Sequence, residues 1–474
     1  MIALPQAAAT RNVVVLGASY AGARAAELLS RTLPSTHRVV VIDRQSHFNH
    51  LYLHPRVSVV PGHAAKTFIP LQGVVPGPAA DTVDLSKKPA RHVVIHASVT
   101  ALSEEYVELD RDLLEHERDL DGDEEEVEKL TSELEAAKLD ASPKQKKAAT
   151  RRLSWEYLIY AFGCQLPPCL TSPSRTKKDG VAFLEALGDN IKKATSILIA
   201  GGGALGIQFA TDIADLYNND ENRAHLKLGE GESAPPKKRI TLVHSRDRFL
   251  PMYKQEMHDE VVRRLKVLGV DFVLGERVAL PDQKEDEPGA MKSIKLKDGR
   301  EVEYDLLLRC TGQKPNSQVM REFLPEALDE WGFIKINPTL QIDTSTRPSV
   351  SDKLRRNMYS IGDVAAAGVI KAGHTGWNQA GVATQNIMCC IETDALNARR
   401  SQDGEKVEEP ALVDYEKSPP QIKVTLGLKH SCTELVKAMG DQVTHFATGD
   451  DGPVDGYYKL VWKNLGADPE DVNA

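Results

Sequence analysis

Short unbroken apolar runs that end on glycine, each leading into a segment of helical period, recur along this chain. The first is Val13, Val14, Val15 and Leu16, the kind of run that a parallel strand buried on both faces requires, and Gly17-Ala-Ser-Tyr-Ala-Gly22 follows at once. Ala23, Ala25, Ala26, Leu28 and Leu29 continue as a helix, and Val39 to Ile42 supply a second strand ending on Asp43. The stretch reads as one βαβ unit. Its turn would aim backbone N–H groups and a helix N-terminus at a pyrophosphate, and Asp43 would accept hydrogen bonds from an adenosine ribose. The fingerprint G-x-G-x-x-G has one fault, Ser19 in place of the second glycine, so alone it also fits an ordinary tight strand-to-helix turn.

The pattern then repeats. Thr195 to Ala200 is again an apolar strand, Gly201, Gly203 and Gly206 complete the fingerprint, and Ile207, Phe209, Ala210, Ile213, Ala214 and Leu216 mark the buried side of the next helix. Arg239 to His244 closes this second βαβ unit. Two such fingerprints in one chain are far more specific than either alone. Further apolar strands run into glycine at Trp155–Gly163, at Asp305–Gly312 and at Met358–Asp363, where the ending is Gly-Asp. Helices are predicted over Met257–Gly269 and Asn378–Ile391, and strands over Arg91–Thr100, Tyr106–Leu109, Val270–Leu274 and Gln421–Leu428.

Between Arg111 and Arg152 the apolar pattern gives way to a charged insertion, acidic first and basic at its end. Val127, Leu130, Leu134 and Ala137 fall at coiled-coil spacing, so the segment reads either as a short helical arm or as a solvated, partly disordered loop. The stretch Ser46–Pro55 holds His47, His50 and His54 without a carboxylate or cysteine at ligand spacing. With Pro55 breaking helix geometry, a loop over a cofactor is expected there, and no metal. The acidic end, Ala467 to Ala474, is expected to fray.

At 474 residues the chain has room for two to four domains. A net charge of -9 argues against a nucleic-acid partner, because phosphate binding needs clustered Lys and Arg. Six scattered cysteines without a CxxC suit a reducing compartment. The first residues lack the pattern of a signal or transit peptide, Ile2 excludes myristoylation, and no apolar run reaches the ~20 residues of a transmembrane segment. The expected location is the cytoplasm. Contact with a membrane surface and the oligomeric state stay open.

Together the motifs resemble the two-dinucleotide-binding-domain flavoproteins of the pyridine nucleotide-disulfide oxidoreductase superfamily. Within it the likeness is to the apoptosis-inducing-factor-like and ferroptosis-suppressor-like branch, near the type II NADH dehydrogenases. The resemblance spans about residues 12–391 and implies an α/β fold with two Rossmann-type domains. It implies that Gly17, Ser19 and Gly22 cradle the FAD pyrophosphate, that Asp43 binds its ribose and that Asp363 binds its ribityl chain. Ala161 and Gly163 match the first Ala-Thr-Gly turn of that family, Thr311 and Gly312 the second. Gln379 and Ala380 sit where backbone N–H groups approach the flavin ring, and Gly201, Gly203 and Gly206 would hold NADPH or NADH. Two departures stand out. Gln208 replaces a glutamate of the pattern, and the CxxxxC redox disulfide is absent from Ser46–Leu71. Cys164 and Cys169 have its spacing in another place and read as structural.

These expectations combine into an FAD domain over 1–165 and 306–395, an NAD(P)H domain over 166–305 and a small C-terminal domain over 396–474. The implied reaction is hydride transfer from a reduced nicotinamide to FAD and onward to a small acceptor, a quinone first of all. The sequence names no catalytic residue. His244 replaces the acid that NAD-selective sites carry at the end of this strand, and Arg246 adds a cation, so NADPH is the expected donor. The rival reading is a flavin-bound interaction or signalling protein whose slow redox cycle switches partners. The charged insertion favours that rival.

Overall fold

The structure is a computed structural model, and it describes residues 10–76, 92–117, 150–167, 169, 172, 175–226, 233–280, 288–403, 407–438, 440–450 and 452–473. The chain divides into two compact units of three stretches each, 1–45, 71–164 and 315–416 in the first and 46–70, 165–314 and 417–474 in the second.

The first repeat is β1 (Arg11–Leu16), α1 (Tyr20–Thr32) and β2 (His37–Asp43), followed by β3 (Val93–His96) and β4 (Tyr157–Tyr160). The second is β5 (Ser196–Ala200), α2 (Ala204–Tyr217) and β6 (Arg239–Val243), followed by β7 (Asp271–Val273) and β8 (Leu306–Arg309). The chain then returns to the first unit with β9 (Met358–Ser360) and the long α3 (Gly373–Asp403).

Both sheets are parallel, in the order β9-β4-β1-β2-β3 and β7-β6-β5-β8. Val13 to Leu16 and Val39 to Ile42 are wholly buried, as strands covered on both faces must be. The register Leu16↔Ile42 leaves Gly17 and Asp43 together just past the strands' carboxyl ends, where open α/β sheets bind ligands. α1 turns Ala21, Gly22, Ala23, Ala25 and Ala26 inward, side chains small enough for close packing, and α3 packs against it.

Several expectations change. The run Arg91–Thr100 is two strands, because the chain leaves the parallel sheet at Ala97, whose N–H donates to the Asp43 carbonyl (3.0 Å). Val99–Leu102 then joins Tyr106–Leu109 and Arg152–Ser154 in an antiparallel sheet. The His-rich stretch is not a loop. It forms a strand (His47–Asn49), a 3-10 turn and the helix His54–Val59, with Pro55 in the first turn, where a missing N–H is harmless. Leu306–Arg309 pairs with β5, which draws it into the second unit rather than the first.

Residues 417–474 group with the second unit instead of standing alone, because Val424, Leu426, Leu428 and Cys432 share a core with Phe209 and Ile213 of α2. They form an antiparallel sheet of Ile422–Thr425, Ser431–Val436 and Thr444–Gly449, then the helix Tyr458–Asn464. The expected fraying past Ala467 is met by Lys459 pairing with Glu470 (2.6 Å) and by the Tyr458 hydroxyl reaching the Pro469 carbonyl (3.5 Å). Residues 118–149 of the charged insertion, with its coiled-coil spacing, lie outside the described residues.

Candidate functional site

The two glycine turns are built alike, bond for bond. Gly17 N–H donates to the Ile42 carbonyl and Gly201 N–H to that of Val243, both at 2.8 Å. Ala161 N–H reaches the Leu16 carbonyl and Cys310 N–H that of Ala200, again both at 2.8 Å. A Cβ on Gly22 would lie 1.8 Å from the Gly17 carbonyl oxygen, and one on Gly206 would lie 1.9 Å from that of Gly201. No side chain fits at either place, so the third glycine is a packing requirement of helix against turn.

The middle position differs. A Cβ on Gly203 would meet nothing within 4 Å. Ser19 has nearly the same extended backbone (φ -81°, ψ -169°, against -74° and 177° at Gly203), so the serine fits without strain. Neither α1 nor α2 is capped by a side chain or carries an acid in its first turn. A helix N-terminus without a side-chain cap suits the pyrophosphate of a dinucleotide.

The residue ending the second strand of each repeat anchors its turn. Asp43 accepts from the N–H of Ala18 (2.6 Å) and of Gln45 (2.7 Å). Burial pushes its carboxyl above the ordinary range, while those two donors pull it down. In the second unit the same amide, that of Gly202, donates to Nδ1 of His244 at 3.1 Å. Burial and then the Arg246 charge lower the His244 pKa, so the ring is neutral and can accept. His244 also stacks on Phe249 with centroids 5.8 Å apart. Beyond it Ser245 and Arg246 are exposed, whereas Arg248 donates to the Tyr253 carbonyl (2.7 Å).

In the first unit the loop Ala161–Gly163 is held by Asn316, which sequence reasoning had not singled out. Its N–H donates to the Gly163 carbonyl (3.0 Å), its Nδ2 to that of Phe162 (2.8 Å), and the Asn316 carbonyl accepts from the Tyr160 hydroxyl (2.9 Å). Gly163 and, in the second unit, Gly312 both take positive φ, 61° and 87°. The Gly362-Asp363 turn follows β9, and Gly362 N–H donates to Oε1 of the buried Gln379 (2.7 Å). Gln379 was expected to offer its backbone N–H. It lies six residues into α3, and its side chain supports the turn. Gln208 of the second unit donates to the Thr425 hydroxyl (3.0 Å).

Cys164 Sγ faces the Asp363 carbonyl at 3.3 Å. Burial, reinforced by the Asp363 charge, pushes its thiol up to about 12. Cys169 belongs to the second unit, where its sulfur is 3.9 Å from that of Cys310. His47 lies in the short strand, His50 just before the 3-10 turn and His54 at the start of the helix, and burial lowers His50 to about 3.

The sequence profile of the pyridine nucleotide-disulphide oxidoreductase family matches residues 11–386. The chain belongs to this family. Membership implies an oxidoreductase built for FAD and NAD(P)H. The chain is 34% identical over 472 residues to Fe-regulated protein 8 of Mycosarcoma maydis, covering 98% of this chain and 96% of that one. Ferroptosis suppressor protein 1 of Homo sapiens is 25% identical over 253 residues, 52% of this chain and 59% of its own. Apoptosis-inducing factor homolog B of Dictyostelium discoideum is 23% identical, with 61% and 69% covered. These relatives place the chain in the apoptosis-inducing-factor-like branch. Among solved structures, the sulfide:quinone oxidoreductase from Aquifex aeolicus matches with a TM-score of 0.59 at 13% identity, covering 96% of this chain and 90% of that one, which speaks for the fold alone. Among the described residues no helix is long and apolar enough to cross a membrane.

Proposed function

We propose that this protein is an FAD-dependent NAD(P)H oxidoreductase that passes electrons from a reduced nicotinamide to a quinone or a similar small acceptor. The observation that carries this reading is the duplicated, uncapped glycine turn, anchored by Asp43 in one unit and by His244 in the other. The first unit would hold FAD through Gly17, Ser19, Gly22, Asp43, Gly163 and Asp363, with Gln379 and Asn316 fixing the two supporting loops. The second would hold the nicotinamide nucleotide through Gly201, Gly203, Gly206 and Gly312, and Arg246 would select NADPH by its 2′-phosphate. When bound, FAD supplies an acceptor for hydride and a donor to the next carrier. The residues around it bind, orient and exclude water.

A small diffusible acceptor is favoured over a thiol relay because the CxxxxC redox pair is absent from Ser46–Leu71 and Cys164 Sγ faces the Asp363 carbonyl (3.3 Å) rather than a second sulfur. The six cysteines are all free, in keeping with a cytoplasmic protein. A lipid-borne quinone would be met from the membrane surface.

Stopped-flow mixing with NADPH and NADH tests the reading, since fast bleaching of the flavin band is expected of an oxidoreductase. Slow bleaching in a fully flavinated protein would favour a redox-switched binding protein instead. Asp363→Ala should weaken flavin retention by roughly 1.5–3 kcal/mol, the worth of one charge-assisted hydrogen bond. Full flavin content after gel filtration of that variant would remove Asp363 from the site.

A further inference from the structure

We propose that Cys169 and Cys310 are a disulfide-forming pair, a covalent modification site through which a peroxide or a diffusible disulfide acts on the second dinucleotide turn. Their sulfurs stand 3.9 Å apart, in contact, and a bond needs ~2.05 Å. Cys310 occupies the place that Ala161 holds in the first repeat, each donating its N–H to the last strand residue before the glycine turn. A methyl stands there in the first repeat, whereas the Cys310 side chain packs against the core of the second unit. The second thiol comes from elsewhere in the unit: Cys169 is buried in the core and its Sγ donates to the Arg309 carbonyl (2.8 Å). Cys310 is partly exposed and would meet the oxidant first.

Cys310 packs closely against the turn. A Cβ on Gly201 would lie 2.6 Å from the Cys310 carbonyl oxygen, and one on Gly206 would lie 3.3 Å from the Cys310 Cβ. Drawing the Cys310 sulfur toward Cys169 would therefore load the close contacts on which Gly201 and Gly206 rest. The hydrogen bond with the Cys169 thiol, and then burial, raise the Cys310 pKa, so the resting state is the dithiol and oxidation proceeds slowly through the small thiolate fraction. A peroxide would oxidise Cys310 to the sulfenic acid with release of water. The Cys169 sulfur then attacks, a second water leaves, and two thiols and one peroxide have become one disulfide and two waters. With a diffusible disulfide, Cys310 displaces one of its thiols to form a mixed disulfide and Cys169 then displaces the second, and a dithiol reductant reverses the bond.

The effect on nucleotide binding rests on the function proposed for this turn, whereas the chemistry of the pair does not. Full-length protein treated with hydrogen peroxide or oxidised glutathione is digested without reduction and mapped by mass spectrometry, and NADPH and NADH are titrated before and after. The expected result is a Cys169–Cys310 linked peptide that dithiothreitol removes, with nucleotide affinity at least roughly tenfold weaker in the oxidised form. Cys169→Ser should lose both the link and the oxidant effect. Both cysteines remaining free, Cys310 over-oxidised without a link, or a link that leaves affinity unchanged would overturn the proposal. If neither form binds a nicotinamide nucleotide, the role of the turn falls, and the peptide map alone decides whether the pair is a disulfide site.

Discussion

At the scale of single residues, one position does the same work with two chemistries. Asp43 and His244 each end the second strand of a repeat and each accept the N–H of the residue after the first glycine. An acid there also repels a nucleotide 2′-phosphate; a neutral imidazole does not. With Arg248 committed to the Tyr253 carbonyl, Arg246 is the cation left exposed beside it. Arg246→Ala should raise the KM for NADPH roughly 10- to 150-fold, equivalent to ~1.5–3 kcal/mol, while sparing NADH. Equal effects on both would mark it as an ordinary surface residue. The glycines divide just as sharply. Gly22→Ala forces a methyl onto the Gly17 carbonyl and should cost about 1–3 kcal/mol or more in urea unfolding. Gly203→Ser meets open space in a backbone that Ser19 already adopts, and should stay within ~0.5 kcal/mol. Equal losses in the two variants would contradict the geometry.

At the scale of elements, the charged insertion joins two paired strands, Tyr106–Leu109 and Arg152–Ser154, and the chain is pinned on both sides of it. Leu109 N–H donates to the Arg151 carbonyl and Leu113 N–H to that of Thr150, both at 2.9 Å. Arg111 grips the buried Glu117 through both guanidinium arms, at 2.8 and 2.5 Å, and Glu117 also accepts the Leu114 N–H (2.7 Å). These bonds lie outside residues 118–149. Replacing 118–149 with a short Gly-Ser linker while keeping Glu117 should therefore leave flavin reduction within about twofold of wild type, as loops of this kind tolerate length change. A collapse of the stopped-flow rate in a variant that retains FAD would show that the insertion shapes the active site.

At the scale of the whole chain, the second unit is assembled from distant stretches by buried charges. Arg56, from the helix His54–Val59, donates to both carboxylate oxygens of Asp212 on α2 (2.7 and 2.9 Å) and to the carbonyls of Gly427 (2.7 Å) and Leu428 (3.0 Å). Asp215 accepts the Leu428 N–H (2.8 Å), and Arg264 donates to the Leu426 carbonyl (2.8 Å). Burial raises the Asp212 pKa, and Arg56 opposes that rise. Arg56→Leu would leave an unpaired acid at 0% exposure, so a loss of about 3–5 kcal/mol is expected, with faster hydrogen exchange over 422–436. A change under roughly 1 kcal/mol would mean the pair behaves like a solvated one.

The sequence by itself determined both βαβ repeats, their glycine turns, the α/β class and the family, because each depends on local pattern: apolar runs of strand length, glycine at fixed offsets, an acid or histidine at a strand end. What it could not reveal depends on residues far apart in the chain. Pro55 looked like a helix breaker and proved to be a helix starter, since only its place within the first turn decides whether the missing N–H matters. Asn316 and the side chain of Gln379 carry no motif. Their roles exist only because the fold brings Gly163 and Gly362 to them. Residues 396–474 read in sequence as a domain of their own, whereas 396–416 belong to the first unit and Arg56, Asp212 and Asp215 hold 417–474 in the second. Cys169 and Cys310 became a pair for the same reason: 141 residues separate them in the sequence, and tertiary packing alone sets their sulfurs in contact.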